Sequence, residues 1–204
     1  MGLRKLNENT DASRLSFWIV PIMFIGVSVI IMAFGESGQE ALRYDRVWIG
    51  LGEGWRFLTG HFAHLSWSHL ALNSAGLLLV WFLIGGEYDI RSWVLIIAIT
   101  LALMDAAFWL LSPEIYWYVG MSGMLHGLLV AGIVGRWPRL DWEAGILLAL
   151  LVAKISWEQI GGPVPGSETT SGGPVVVDAH LYGALGGLLG ALAARIRVRP
   201  SASI

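Results

Sequence analysis

Residues 120–136 read GMSGMLHGLLVAGIVGR, an apolar run that opens on a serine between glycines and ends on an arginine. The apolar run proper is 122–135, which has 14 residues. A helix needs about 20 apolar residues to cross a hydrocarbon core of about 30 Å, so this run is short for a span. Five further apolar runs accompany it, at 17–34, 69–86, 93–111, 144–160 and 176–194. The pattern predicts an all-α membrane protein, a bundle of six transmembrane helices with a membrane-associated first outer loop over 35–68.

The composition agrees with a membrane location. Of the 204 residues, 55% are hydrophobic and 14% are charged, whereas soluble domains carry about 25% charged residues. The net charge of -2 gives no basic field that would attract nucleic acid. The absence of cysteine excludes disulfides and thiolate metal sites. The first apolar run has no small-residue cleavage site after it, so we expect a retained span.

The distribution of lysine and arginine predicts the orientation. With the N-terminus in the cytoplasm, nine basic residues fall on the inner side and three on the outer side. The inner ones are Arg4, Lys5, Arg14, Arg91, Arg136, Arg139, Arg195, Arg197 and Arg199, and the outer ones are Arg43, Arg46 and Arg56. We expect a cytoplasmic segment over 1–15, one six-helix domain over 16–196 and a basic cytoplasmic tail over 197–204. The Gly/Pro/Ser-rich stretch 161–174 is expected to be a mobile outer loop.

The three spans that enter from the outer face carry reactive side chains near their start. Asn73, Ser122 and His180 lie about 14, 14 and 15 residues from the first cytoplasmic charge of their spans. At 1.5 Å per residue, each is about 21–22 Å above the inner surface. Polar residues at such depth usually face one another or a cavity. The sequence therefore predicts one site, sunk below the outer surface and open to water.

These residue types allow nucleophilic catalysis. A serine hydroxyl becomes a nucleophile when a neutral imidazole accepts its proton, and Ser122 begins a helix whose free N–H groups favour an oxyanion. His69 and Asn73 lie four residues apart, on one helix face, and both can donate hydrogen bonds. Small residues would let the backbones approach closely around Ser122 and between the fourth and sixth spans; they are Gly120, Gly123, Gly183 and Gly187.

Four elements in this order resemble the rhomboid intramembrane serine proteases. They are Trp55-Arg56 in the first outer loop, His69 and Asn73 in the second span, the GxSG motif around Ser122, and the AHxxGxxxG motif around His180. The stretch WRFLTGHFAHLSWSHL at 55–70 is similar to one branch, the rhombosortases, which are associated with processing the C-terminal GlyGly sorting signals of secreted bacterial proteins.

The resemblance implies a reaction and a setting. Ser122 would be the nucleophile and His180 the base, a dyad with no acid; His69, Asn73 and the Ser122 amide would form the oxyanion hole. The fifth span and the loop after it would act as a lateral gate. The expected partners are membrane lipid and single-span proteins that end in a Gly-Gly motif, an apolar helix and a basic tail. The expected location is the bacterial cytoplasmic membrane, with the site facing the periplasm, and no cofactor, metal or nucleic acid is implied.

Other polar residues at the depth of the site allow more than one interpretation. Lys154 and Glu158 lie one turn apart on the fifth span. Lys154 either pairs with Glu158 or Asp105 to hold helices together, or lines the gate and contacts substrate, with Trp157 beside it. His126 stands where many rhomboids carry a tyrosine; it tunes the site or, more commonly for such a residue, is a hydrogen-bonded structural histidine.

The sequence also allows one alternative site and two alternative functions. The spacing of His61, His64 and His69 suggests a zinc site, but there is no HExxH motif and no carboxylate at a ligand-like spacing beside these histidines. A catalytically inactive relative that binds membrane segments would be expected to lack a member of the dyad. A transporter would be expected to show paired repeats, and none is evident.

Overall fold

A computed structural model describes the backbone of residues 2–138 and 140–198, and the side chains of residues 17–138 and 140–196. Several basic residues used to predict the orientation lie outside the described side chains, namely Arg4, Lys5, Arg14, Arg139, Arg197 and Arg199. The boundary expected near residue 15 is not a break in the backbone, because one helix runs from Gly2 to Ala33. Most of the predicted tail, 199–204, also lies outside the described residues.

Long helices dominate the described chain. They are α1 (Gly2–Ala33), α5 (Trp67–Ile84), α6 (Ile90–Leu110), α7 (Ser122–Gly135), α8 (Trp142–Gly161) and α10 (Asp178–Val198). The short helices are α2 (Gly35–Leu42), α3 (Arg46–Gly50), α4 (Trp55–Thr59) and α9 (Ser167–Ser171), and a 3-10 turn covers Gly85–Glu87. The strands β1 (Tyr44–Asp45) and β2 (Trp117–Tyr118) pair antiparallel, with Tyr44 opposite Tyr118.

The number of membrane spans is confirmed only in part. Among the described residues, four helices are long and apolar enough to cross a membrane, and they contain α5, α6, α8 and α10. A fifth is added if α1 from Phe17 and α2 count as one span, although the two helices are bent by 120°. The apolar helix α7 has 14 residues, as its sequence predicted, and is shorter than a full span. The count of six stays a prediction.

Capping side chains begin three of the long helices. Ser66 accepts a hydrogen bond from the His69 N–H at the start of α5, Asp89 from Ser92 at α6, and Asp141 from Ala144 at α8. Each cap satisfies one of the N–H groups that a helix leaves free at its N-terminus. In contrast, α7 begins after Met121 with no side-chain cap.

The helix α10 lies against α6 and α7 because glycines line its contacts. A methyl group built on Gly186 would lie 2.7 Å from the Thr100 Cα, and one built on Gly190 would lie 2.9 Å from the Ile96 Cα. Neither position has room for a side chain, so the backbones of α6 and α10 touch. This close contact holds the central helix of the bundle, which carries His180, in a fixed place.

The first outer loop is a folded unit anchored by Arg56. Its guanidinium donates hydrogen bonds to the Glu40 and Arg43 carbonyls at 2.7 and 3.1 Å and to the Glu53 carboxylate at 2.6 Å. Arg56 is buried, whereas its neighbour Trp55 is exposed. Trp55 shares that exposure with other large apolar side chains of α3, α4 and the turn between them, Val47, Trp48, Leu51 and Leu58. A segment that lies on a membrane surface presents such a face, and the membrane association of the loop stays a prediction.

The outer loop after α8 is more ordered than its composition suggests. The structure places the helix α9 inside the stretch 161–174. The hydroxyl of Ser66 donates a hydrogen bond to the Ser171 carbonyl at 3.0 Å, and that of Ser68 donates one to the Thr170 carbonyl at 2.7 Å. The serines that begin α5 therefore hold the loop after α8 over the outer end of the bundle.

Candidate active site

Ser122 and His180 come together at the outer ends of α7 and α10. The Ser122 Oγ lies 3.0 Å from the His180 Nε2, a hydrogen-bond distance. The Ser122 hydroxyl is the donor if Nε2 is unprotonated, and the partner of the other ring nitrogen, described below, requires that tautomer. Two groups 58 residues apart in sequence thus lie in the geometry that a serine nucleophile needs toward its base.

Glycines on both helices make this approach possible. A Cβ built on Gly183 would overlap the carbonyl group of Gly123, and one built on Gly187 would overlap the carbonyl group of Gly127. The four glycines therefore let α7 and α10 pack backbone against backbone, as small-xxx-small faces do in membranes. Because Ser122 and His180 lie less than one turn from the Gly123–Gly183 contact, their spacing depends directly on it.

The far side of His180 meets a carboxylate that the dyad prediction did not include. The His180 Nδ1 lies 2.8 Å from the Glu158 Oε2, and a nitrogen at that distance from a carboxylate donates its hydrogen. The expectation of a dyad with no acid is therefore corrected in geometry, because an acidic side chain contacts the imidazole. Asp178, two residues before His180, is not that side chain.

Lys154 contacts the same carboxylate. Its Nζ donates a hydrogen bond to the Glu158 Oε1 at 2.7 Å, so of the two pairings predicted for Lys154, the structure has the one with Glu158. The Lys154 Nζ also lies 3.3 Å from the His180 Nδ1. That nitrogen has one hydrogen, which points to Glu158, so the second contact is an approach of charge to ring rather than a second hydrogen bond.

His126 packs on the catalytic candidate His180. The two imidazole rings are stacked, with centroids 4.3 Å apart and planes 20° from parallel. The His126 Nδ1 donates a hydrogen bond to the Ser122 carbonyl at 2.7 Å, one turn back along α7. Both contacts match the interpretation of a hydrogen-bonded structural histidine, and the ring occupies the place that the resemblance gave to an aromatic side chain.

The predicted oxyanion donors face the first glycine of the GxSG motif, two residues before Ser122. A methyl group built on Gly120 would lie 2.9 Å from the His69 Nε2 and 3.4 Å from the Asn73 Nδ2. Gly120 itself has φ +114°, a conformation that residues with a Cβ rarely adopt. The Asn73 Nδ2 is buried and has no hydrogen-bond partner among the described residues. A buried donor without a partner is costly, so the arrangement suits an acceptor that arrives with a ligand.

Two other predicted polar residues lie elsewhere. The Asp105 Oδ1 accepts a hydrogen bond from the His61 Nε2 at 3.1 Å, which is not the pairing with Lys154 that the sequence allowed. A gate or substrate contact for Asp105 stays a prediction. His64 donates from Nδ1 to the Phe62 carbonyl, and its ring lies edge-on to His69. Burial, with a smaller contribution from His69, lowers the pKa of His64 to about 3, so it is neutral at physiological pH.

A cavity of about 580 Å³ opens beside the serine at the outer end of the bundle. Its polar lining includes residues of the loop after α8 and the side chains of His69, Asn73, Tyr118, Ser122, His126, Lys154, Glu158 and His180. All three side chains placed at one depth by counting, Asn73, Ser122 and His180, thus share one cavity. Trp157, also predicted as a gate residue, is exposed on α8.

One group of side chains has metal-ligand spacing. Within the described residues, the ligating atoms of His126, Glu158 and His180 lie within 4.8 Å of one another. In this group the His126 and His180 rings are stacked, and His180 is hydrogen-bonded to Glu158. The residues differ from His61, His64 and His69, whose spacing suggested a zinc site. The contacts that the structure shows are those of a serine hydroxyl, an imidazole and a carboxylate in series.

The sequence singled out Glu158 and its pairing with Lys154, but not its contact with His180. In α8, all of which the structure describes, the buried residues are Ala144, Leu151 and Glu158. They recur every seven residues, so they form one stripe on an otherwise exposed helix. A glutamate on the buried stripe of an apolar helix is a signal that its carboxylate meets a polar group in the bundle.

Comparison with known proteins agrees with the motifs. The sequence model of the family described as Rhomboid domain matches residues 51–197, which is most of the chain and includes every residue of the cavity named above. No curated protein matches the chain.

Proposed function

Because the chain belongs to the rhomboid family, whose members are serine intramembrane proteases, we propose that it cleaves peptide bonds in membrane segments with Ser122 as nucleophile and His180 as base. The observation that carries the proposal is the 3.0 Å contact between the Ser122 Oγ and the His180 Nε2. It lies in a cavity that also holds an unpartnered amide donor, that of Asn73.

The proposed reaction proceeds by acyl transfer. The Ser122 Oγ bonds to the scissile carbonyl carbon while its proton moves to the His180 Nε2. The carbon–nitrogen bond then breaks, and Nε2 gives the proton to the leaving amine. A water molecule attacks the ester in the same way: its proton passes to Nε2, its oxygen joins the carbonyl carbon, and Ser122 leaves and recovers the proton.

The carbonyl oxygen becomes negative in each tetrahedral intermediate. We assign its stabilisation to His69, Asn73 and the Ser122 amide. The uncapped start of α7 leaves that amide available, and the helix dipole adds to it. Removal of one such donor costs other serine hydrolases about 10²–10³-fold in kcat, so the free Asn73 donor has the chemistry that the reaction needs.

We assign the entry of substrate to the side of α8. This helix touches the bundle through one stripe of three buried residues, so it can move with the loss of few contacts, and Lys154 and Glu158 on it line the cavity. A membrane segment that enters beside α8 must unwind, because an intact helix keeps its carbonyl groups in its own hydrogen bonds.

The proposed substrates are single-span proteins with a C-terminal Gly-Gly motif, an apolar helix and a basic tail, in a bacterial cytoplasmic membrane with the cavity on the periplasmic side. Two glycines suit the reaction because glycine weakens a helix by about 1 kcal/mol relative to alanine. They also carry no side chain that would keep the backbone from Ser122.

Co-expression of the chain with a reporter that ends in these three elements tests the proposal. We expect a shortened reporter that disappears with Ser122→Ala and with His180→Ala at unchanged expression of the protease. Ser156→Ala is the matched control, because Ser156 is an exposed serine on α8, and it is expected to cleave like the wild type. A shortened reporter that persists with Ser122→Ala contradicts the assigned nucleophile.

A second reporter isolates the substrate class. It keeps the apolar helix and the basic tail but replaces Gly-Gly by Leu-Leu, and we expect its cleavage to fall. Equal cleavage of both reporters, or cleavage of general rhomboid substrates alone, would contradict the Gly-Gly assignment and leave the protease assignment intact. A chain that binds the reporter without cutting it would be the inactive relative.

A further inference from the structure

The environment of Glu158 identifies a carboxylate with two separate partners. One oxygen lies 2.8 Å from the His180 Nδ1 and the other lies 2.7 Å from the Lys154 Nζ. The Glu158 side chain is 2% exposed, whereas that of Lys154 is 38% exposed. The carboxylate therefore lies between a buried imidazole and a cation that reaches the cavity.

A purely structural role for Glu158 does not explain its contact with His180. An ion pair between Lys154 and Glu158 at i,i+4 forms on an exposed helix and needs no third group. Burial of a carboxylate is costly, and the second hydrogen bond that Glu158 makes among the described residues is with the imidazole that faces Ser122. The contact joins the carboxylate to the reacting residues.

We propose that Glu158 is a positioning residue that acts through His180 and completes a Ser122–His180–Glu158 triad. The inference rests on the proposed function, because it assigns a role within the same reaction. The Glu158 carboxylate accepts the hydrogen of the His180 Nδ1, so the imidazole presents an unprotonated Nε2 to the Ser122 hydroxyl. When Nε2 takes the serine proton, the carboxylate stabilises the imidazolium and remains ionised.

Lys154 has the opposite electrostatic effect on the imidazolium. It holds the second Glu158 oxygen and brings a positive charge within 3.3 Å of the His180 Nδ1. The other groups that face His180 are His126 and Ser122 on α7, and Asp105 of α6 is engaged with His61 instead. Loss of Glu158 and loss of Lys154 should therefore move the acid side of the pH–rate profile in opposite directions.

The test uses the full chain, purified in detergent, and the reporter as substrate. Glu158→Gln keeps the size of the side chain but offers an amide, which can donate to Nδ1 and favour the tautomer with the hydrogen on Nε2. An amide in place of a triad acid lowers kcat by about 10⁴-fold in serine proteases of known mechanism, and we expect at least about 100-fold here with little change in KM.

The matched control is Glu143→Gln, the same chemical change at an exposed position of the same helix; we expect its kcat to stay within about threefold of the wild type. Profiles of kcat/KM between about pH 5 and pH 9 give the second readout. Glu158→Gln should shift the acid limb to lower pH and Lys154→Met should shift it to higher pH. A structural role would lower the yield or the unfolding temperature but would not move the limb.

Glu158→Asp keeps the charge on a shorter side chain. We expect it to retain at least about tenfold more kcat than Glu158→Gln, and it replaces that variant if the amide prevents folding. Equal rates for Glu158→Asp and Glu158→Gln, or a Glu158→Gln rate near that of the wild type with an unmoved limb, would overturn the triad. If either outcome is found and Ser122→Ala is inactive, the triad is rejected but the protease assignment stands. Equal rates for the wild type and Ser122→Ala would reject the proposed function itself.

Discussion

The Gly127 contact allows a quantitative test of how α7 and α10 set the site. A methyl group built on Gly127 would lie 2.6 Å from the Gly183 carbonyl oxygen and 2.6 Å from the Thr100 Cγ2, whereas ordinary contacts of a Cβ begin near 3.4 Å. In Gly127→Ala the helix α7 must therefore move away from α10 and α6 by about 0.8 Å, the difference between 3.4 Å and 2.6 Å.

The expected size of the effect follows from that displacement. If the separation reaches the start of α7, the 3.0 Å contact between Ser122 and His180 lengthens beyond the roughly 3.5 Å at which a hydrogen bond is lost. A misplacement near 1 Å costs about 10²-fold in rate, and overpacking of a core costs about 1–3 kcal/mol. We expect Gly127→Ala to lose about 10- to 100-fold in kcat/KM and to unfold at a lower temperature.

The assay measures reporter cleavage and the rate at which a fluorophosphonate probe labels the serine, since the second needs no knowledge of the substrate. Gly26→Ala is the control, because a methyl group there meets nothing within 4 Å, and we expect both of its rates to equal those of the wild type. A Gly127→Ala protein that labels and cleaves at the wild-type rate would refute the claim that this contact sets the distance between nucleophile and base.

Four further predictions follow from single contacts. Asn73→Ala removes the unpartnered donor and should lower kcat about 10²–10³-fold with KM unchanged; kcat within about threefold of the wild type would speak against the oxyanion assignment. Arg56→Lys cannot reproduce the guanidinium fork and should lower the stability of the protein by about 2 kcal/mol, measured by thermal denaturation; an unchanged unfolding temperature would contradict the anchor. His126→Phe keeps an aromatic ring on His180 and should retain more activity than His126→Ala; the reverse order in labelling rates would exclude the stacking role. Burial holds the pKa of His64 in the folded protein below its unfolded value, so stability is full above about pH 6.5 and is lost as pH falls toward 3. The unfolding temperature of the wild type should therefore fall between about pH 7 and pH 5, and that of His64→Gln should fall less. Equal falls in the two proteins would contradict burial of His64 as the cause.

The sequence predicted the depth of the site because depth depends on counting along helices. The rise of 1.5 Å per residue placed Asn73, Ser122 and His180 in one plane, and all three line one cavity. The start of α7 at Ser122 followed from the motif of small residues around it. These features are local or additive along the chain, so they need no knowledge of how helices rotate against each other.

The contact between Glu158 and His180 could not be predicted because composition does not fix the rotation of a helix about its axis. In a membrane, the outward and inward faces of a helix are both apolar, so the pattern of α8 did not show which residue faces His180. Asp105 was likewise a possible partner of Lys154, but its side chain contacts His61. Counting residues along a helix axis gives the depth of a side chain, but only the packing of the helices determines which neighbour it faces.

The ordered parts of the loops were missed for a related reason. The stretch 161–174 has the composition of a mobile loop, yet hydroxyl groups of Ser66 and Ser68 hold the carbonyl groups of Ser171 and Thr170. Those hydrogen bonds join segments that lie more than 100 residues apart in sequence. Local composition carries no information on such contacts.

Mass spectrometry of the protein after reaction with a fluorophosphonate tests the activation of Ser122 by His180 most directly. The wild-type chain should carry one adduct, on the peptide that contains Ser122, and His180→Ala should carry none in the same time. An adduct on another serine, or equal labelling of Ser122 in the wild type and in His180→Ala, would contradict the assignment of nucleophile and base.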